Sequence, residues 1–511
     1  MRYEWSVSGK RPLNILQTIG NGCAFLDYDQ DGNLDILLVG RKLALFQGNG
    51  KGQFTEATHS TQLQNFTGHF LGCAVGDYNN DGFPDVYISG YREGLLLQNQ
   101  NGKSFRDIAS AAGLKPQPWG TSAGWSDLDG DGWLDLYVCN YAEFGPAVQP
   151  QLCKFKTKEH GEVLSSCGPR YYSGIKGVAY RNNAGKKFDD VTGRWGMSTH
   201  SGRGLGVAFA DPEGNGKVSV AIANDETPGD LFWNQGNEGT SLFENVGETS
   251  GTARDRDGNL HGGMGIDWGD FNNDGRIDLF VATFRNEPKS LYRNDGGGLF
   301  TDVSYPAGIG RPALPYVSFG CKFLDADNDG WLDLLIANGH VQDNIKLIEN
   351  TDYPQNTLFL HNERGTFRDA SAESSIGNLP PIVGRGLAVG DYDNDGRVDA
   401  LIVDSEGKPL LLHNETGQGG KWIGFRCRTG EKGRDALGAV VTVEAGGKKI
   451  VRQCQPGGSY MSSSDARVHF GLGGEVATVR VTVRWQNGEQ ETWENIPVGK
   501  YYTIFPKSGP V

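Results

Sequence analysis

The chain has 511 residues, and its 48 basic against 62 acidic side chains give a net charge of −14, which argues against nucleic acid as a partner. Aromatic residues make up 10% of it, so it folds rather than staying disordered, and no run approaches the roughly 18 apolar residues of a membrane helix. Its 76 glycines, about twice the usual share and without a collagen-like period, point to many tight turns.

From the N-terminus, a strand-like stretch YEWSV occupies residues 3–7. The segment DYDQDGNLD then starts at Asp27, DYNNDGFPD at Asp77 and DLDGDGWLD at Asp127. A worn copy, DPEGNGKVS, starts at Asp211, and DFNNDGRID, DADNDGWLD and DYDNDGRVD start at Asp270, Asp325 and Asp391. Seven copies mean a repeat architecture. A Gly-rich apolar run precedes most copies (GNGCAFL, FLGCAVG, GRGLAVG), and a continuous apolar run follows (DILLV, DLYVC, DLLIA). Next comes a strand with a polar end (LYRN at 291, LFLHN at 358, LLLHN at 410), then in several units a short run such as FRDIA at 105. That makes four short strands per unit, and apolar runs without alternation predict strands buried on both faces, as between neighbouring blades. The expectation is an all-β, seven-bladed β-propeller over residues 1–417. Its last unit stops after LLLHN, so residues 3–7 are expected to supply the missing strand and close the ring.

An insertion at about 141–170 breaks the period and is expected on one face, often the binding face of a repeat protein. After a Gly-rich stretch at 417–420 the Asp motif is absent. Alternating strands (VVTVEA, VRVTVRW, YYTIF) predict a separate small β-sandwich-like domain over 421–507.

The spacing D-x-[DN]-x-D-G-x-x-D puts side-chain oxygens at alternate positions of a tight loop. Gly at the sixth position permits the turn, and the ninth residue adds a carboxylate. Six to eight hard oxygens suit Ca²⁺. The ligands expected are Asp27, Asp29, Asp31 and Asp35; Asp77, Asn79, Asp81 and Asp85; Asp127, Asp129, Asp131 and Asp135; Asp270, Asn272, Asp274 and Asp278; Asp325, Asp327, Asp329 and Asp333; and Asp391, Asp393, Asp395 and Asp399. An EF-hand is excluded, because its twelfth position needs Glu and here holds Leu38, Ile88, Val138, Val281, Ile336 and Ile402. One acidic turn would mean little, but six in register predict about six structural calcium ions. They would bring the net charge from −14 to about −2. The Asp211 copy has lost two carboxylates and is expected to be empty or weak.

Of eight cysteines, Cys23, Cys73 and Cys321 each stand four residues before their loop and read as small core residues, as does Cys139. Cys153 and Cys167 bracket the polar insertion and are expected to form a disulfide. Pairing of Cys427 with Cys454 stays open.

These repeats resemble the FG-GAP/VCBS repeat of integrin α-subunit propellers, and residues 433–474 resemble the ASPIC/UnbV domain. Together they resemble the cartilage acidic protein-like family, with NDETPG at 224, RNE at 285 and ANGH at 337 as further likenesses. The resemblance implies a secreted calcium-binding propeller, although no signal peptide is evident in the sequence. It also implies that the metal loops join first and second strands on one face. Residues following the second strands, and those preceding the first, then share the opposite face. His69, His261, His340, Asp225, Glu287, Arg203 and Arg385 are gathered there, which predicts a ligand site in a central funnel. The reading preferred is a monomeric binding module for a small molecule, glycan, other polymer or protein. The alternative is an enzyme doing elimination, isomerisation or cyclisation. In it His340, His261 and His69 act as acid or base beside Glu287 and Asp225, Arg203 or Arg385 holds an anion, and a transition metal is an optional addition.

Overall fold

In the computed structural model, which describes residues 3, 5, 10–198, 202–236, 241–417, 420–430 and 432–511, each Asp motif sits in the turn between two antiparallel strands. The third unit shows the pattern. Gly120–Ser126 pairs with Asp135–Asn140, which pairs with Val178–Asn183 and then Lys187–Asp190. Seven such sheets form, six of four strands and a last one of three, Gly384–Gly390, Asp399–Asp404 and Leu410–Leu412. The innermost strand of each sheet touches that of the next, and Gly384–Gly390 touches Cys23–Leu26, so the ring is closed. This is a propeller, and its first and second strands are buried almost throughout because blades cover both faces.

The polar end of each third strand has a structural purpose. Asn182 Nδ2 donates to Leu134 O of its own blade (3.0 Å) and to Tyr78 O of the preceding one (2.8 Å). Asn99, Asn234, Asn294, Asn362 and Asn414 repeat this staple around the ring. The first blade has Gly48 at that place, and its seam with the seventh is aromatic instead, with Phe25, Phe54 and Tyr392 packed together. Tyr3 and Trp5 join this cluster, their rings 4.5 Å apart. Most of the remaining closing strand expected over 3–7 falls outside the described residues.

Beyond the ring, Lys421–Thr429 pairs with Arg434–Asp435, Val468–Gly473 and, in parallel, Tyr501–Ile504. A second sheet orders Lys448–Gln453, Val440–Ala445, Thr478–Arg484 and Gln490–Pro497. Their inner faces share a core of Phe425, Phe470, Val441, Val481 and Ile504. Cys427 and Cys454 lie in that core as separate buried thiols, and Cys153–Cys167 is a disulfide, as its place in the insertion led us to expect.

These C-terminal sheets sit on the face of the propeller that carries the Asp loops. Between them, residues 455–465 enter the central channel. The innermost strands have unpaired backbone groups on their channel side, and this segment pairs with them. Phe25 N donates to Ser463 O (3.0 Å), Cys73 N to Met461 O (3.0 Å) and Ile266 N to Ser459 O (3.0 Å). The Gly-rich runs leave room for it, since a Cβ on Gly22 would lie 1.7 Å from Met461 O. Tyr460 and Met461 are fully buried in the channel, and Tyr460 Oη reaches Ile19 O near the far side (2.8 Å).

Candidate metal centres and the opposite face

Five of the six intact loops share one geometry, and the first departs from it in that Asp27 Oδ1 accepts no hydrogen bond. In the third, Asp131 N donates to Asp127 Oδ1 (3.1 Å) and Gly132 N to Asp127 Oδ2 (2.8 Å), while Gly132 takes φ +89°. Asp135, the ninth residue, is buried and accepts from Leu128 N (2.9 Å) and Asn182 N (2.8 Å). Groups of three carboxylates close enough to share an ion form at Asp27, Asp29 and Asp35; Asp127, Asp129 and Asp135; Asp325, Asp327 and Asp329; and Asp391, Asp393 and Asp399. Burial raises Asp35, Asp278 and Asp399 above the usual carboxylate range, to about 8, with nearby loop carboxylates adding to the effect. Asp27 Oδ1, Asp85 Oδ2 and Asp393 Oδ1 are buried with no hydrogen-bond partner. Clustered anions with free lone pairs fit a hard divalent cation.

The C-terminal sheets bring basic groups to these loops. Arg426 bonds Asp27 (3.0 Å) and Asp435 (2.8 Å), Arg434 Nη2 donates to Gly132 O (3.0 Å), and Arg467 Nη2 donates to Asp391 O (2.7 Å). Sequence reasoning missed this contact, since the arginines lie in a segment that carries no loop motif.

On the opposite face the expected residues divide into separate groups. Asp225, Glu287 and Arg203 converge around Gly262. Asp225 accepts from Tyr141 Oη, and Glu287 Oε2 from Gly262 N (2.8 Å), while Arg203 Nη1 donates to Asp225 O (3.3 Å). Desolvation pushes Asp225 up to about 7, and Glu226 and Glu287 add to it. His261, buried beside them, bonds Tyr292 Oη through Nε2 (3.1 Å), and burial lowers it to about 4. His340 is also buried. It accepts from Gln342 N (3.1 Å) and is lowered to about 3 by desolvation and by Arg285 and Arg385.

Arg385 does not fit the role of an anion holder. It is fully buried, and its guanidinium donates to Thr18 O, Gly339 O, Gly384 O and His340 O while lying 3.9 Å over the Phe319 ring. Nor, among the described residues, is there an open funnel at the centre. The insertion forms a hairpin, Cys153–Thr157 with Gly161–Ser165, that reaches across to the sixth blade. There Gln342 Nε2 donates to Ser166 O (3.0 Å) and Asn344 Nδ2 to Leu164 O (2.8 Å). Beneath it Ile15, Ile19, Trp119, Phe144, the disulfide, Tyr460 and Met461 form one apolar cluster. The mouth is filled from both ends of the channel.

His69 stands apart, half-buried on the second blade. It lines a groove of about 940 Å³ together with Asn14, Gln17, Arg41, Lys42 and Thr67. Arg41 and Lys42 follow the second strand of the first blade, so the rule that gathered the other face residues would have found them had it been extended to that blade. Among the described residues, no group with metal-ligand spacing lies on this face.

The model of the FG-GAP-like repeat matches residues 27–88, 77–138, 212–281, 270–336 and 325–402, and that of ASPIC and UnbV matches 429–510. Cartilage acidic protein 1 of Mus musculus is 26% identical over 395 residues, which are 75% of this chain and 54% of that protein. The Homo sapiens protein of the same name is 24% identical over 410 residues, 78% of this chain and 55% of that one. The chain thus spans about half the length of the curated relatives it matches. A solved Agrocybe aegerita lectin structure, described as recognising non-reducing terminal N-acetylglucosamine, aligns at TM-score 0.44 and 15% identity, covering 76% of this chain and 87% of that one, a likeness too low to build on. The repeats, the closed ring and the C-terminal sheets seated on its loops agree with the matched models: the chain belongs to the FG-GAP-like repeat family, as a cartilage acidic protein-like member with a C-terminal ASPIC and UnbV segment.

Proposed function

We propose that this protein is a calcium-stiffened binding scaffold that acts as a monomer in an extracellular or periplasmic setting and takes its ligand on the face opposite the metal loops. The observation that carries the calcium reading is the set of buried loop carboxylate oxygens without a partner. Ca²⁺ suits them better than Mg²⁺, which gives up its waters reluctantly. The Cys153–Cys167 disulfide supports an oxidising compartment, where calcium is also abundant. Among the described residues no helix is long and apolar enough to cross a membrane.

The groove beside His69 is the best ligand site on that face. Its volume suits a small ligand or a few sugar units. Arg41 and Lys42 are exposed, and neither has an ion-pair partner among the described residues, on a chain whose net charge is −14. These two cations favour an acidic oligosaccharide. Acid–base catalysis has less support, because His340 and His261 are buried and Arg385 is engaged with carbonyls. In an array of uronate-bearing and neutral oligosaccharides, the protein is expected to retain acidic members. The double variant Arg41→Ser/Lys42→Ser should lose about 100-fold in affinity, two charge-assisted contacts at about tenfold each, with an unchanged melting temperature. Equal binding by the double variant would remove the groove from the account.

A further inference from the structure

The worn loop at Asp211 keeps the backbone of the intact ones. Asn215 N donates to Asp211 Oδ1 (3.0 Å) and Gly216 N to Asp211 Oδ2 (2.6 Å), and Gly216 takes φ +89°, as Gly132 does in the third loop. The turn therefore forms without a full ligand set. Three of its ligand positions bring no carboxylate into the loop. Position five is Asn215, whose Oδ1 accepts from Lys217 N (2.9 Å). Ser219 at position nine accepts from Asn234 N (3.2 Å), the backbone contact made by Asp135 in the third loop. Glu213 at position three turns away to accept from Gly298 N of the next blade (3.1 Å).

That leaves Asp211 as the one carboxylate facing into the loop, and it is 2% exposed. A buried carboxylate needs a counter-charge. Arg484, at the end of Thr478–Arg484 in the C-terminal sheets, is itself 8% exposed and meets Asp211 at 2.7 Å. Arg426 differs, dividing its guanidinium between Asp27 and Asp435. The charges match as well. Intact loops hold three or four acids and call for a divalent ion, whereas one facing carboxylate calls for a single positive charge. Nearby, Asp211 N donates to Gln453 Oε1 (3.2 Å) and Gln486 Nε2 to Asp127 O (3.0 Å), so the pair lies within the contact between the C-terminal sheets and the third and fourth blades.

We propose that Arg484 is the resident cation of the worn loop at Asp211: its guanidinium takes the place of the metal and fastens the C-terminal sheets to the propeller at a point independent of calcium. This rests on the calcium reading of the other six loops. The test is calcium per full-length chain, by elemental mass spectrometry after dialysis against buffered calcium. Relative to wild type, Asn215→Asp/Ser219→Asp/Arg484→Met is expected to hold one more calcium. Asn215→Asp/Ser219→Asp, with Arg484 kept, is expected to hold no more than wild type. The proposal is overturned if the folded triple variant gains none, if the double variant gains one, or if Asp211→Asn removes one from wild type. Wild type with fewer than four would instead sink the calcium reading itself. Melting at saturating calcium gives a second readout that needs no new ligands. Arg484→Met should lower the midpoint by about 5 °C and Arg484→Lys by less than half of that. Equal losses in the two variants would mean that shape, not charge, matters there.

Discussion

Removal of calcium by EGTA is expected to lower the melting temperature by more than about 15 °C. Six loops each hold three or four clustered acids, and partnerless buried oxygens remain at Asp27, Asp85 and Asp393. With free calcium at twenty times Kd, each site adds about 1.8 kcal/mol, and six add about 11 kcal/mol. That is comparable to the whole stability of an ordinary domain, about 5–15 kcal/mol. Repulsion among the uncovered carboxylates acts in the same direction. Calorimetry in 2 mM calcium and in EGTA measures the difference. A shift below about 3 °C would mean that the loops do not depend on an ion.

Tyr460→Ala is expected to destabilise the protein by about 4 kcal/mol, the usual cost of emptying a buried aromatic site. Tyr460 is fully buried, its ring packs edge-on to Phe319 at 4.9 Å, and its hydroxyl donates to Ile19 O. Alanine would open a cavity where the innermost strands meet and leave that carbonyl unpaired. Chemical unfolding at saturating calcium should show the loss, with the metal content of the folded variant unchanged, because no loop ligand is touched. A loss under about 0.5 kcal/mol would mean that residues 455–465 are not seated in the channel in solution.

Much of the scaffold was legible because each of its features repeats. The Asp spacing, the apolar second strand and the polar end of the third each recur, and recurrence separates a built feature from chance. Why the third strand ends in Asn was not legible, since the carbonyl that Asn182 reaches belongs to the preceding blade. The Gly-rich runs were visible as a pattern, but their cause lies in Met461, more than four hundred residues from Gly22. Residues 455–465 (QPGGSYMSSSD) stand out only as part of the segment resembling the ASPIC/UnbV domain, and their burial follows from pairing with strands whose free edges no local pattern reveals. On the opposite face, strand order assigns residues to loops but gives no side-chain direction. Arg385 and His340 turned into the packed mouth, while Arg41 and Lys42 turned to solvent. The insertion was expected to lie on one face. That it would reach from the third blade to the sixth and cover the channel depends on Asn344 and Gln342, which carry no signal of their own.

Elemental analysis of the purified protein, before and after mild chelation, tests the central claim most directly. About six calcium atoms per folded chain, released by the chelator together with the thermal stability, is the result expected from six intact Asp loops. Fewer than four calcium atoms in a fully folded chain would contradict it.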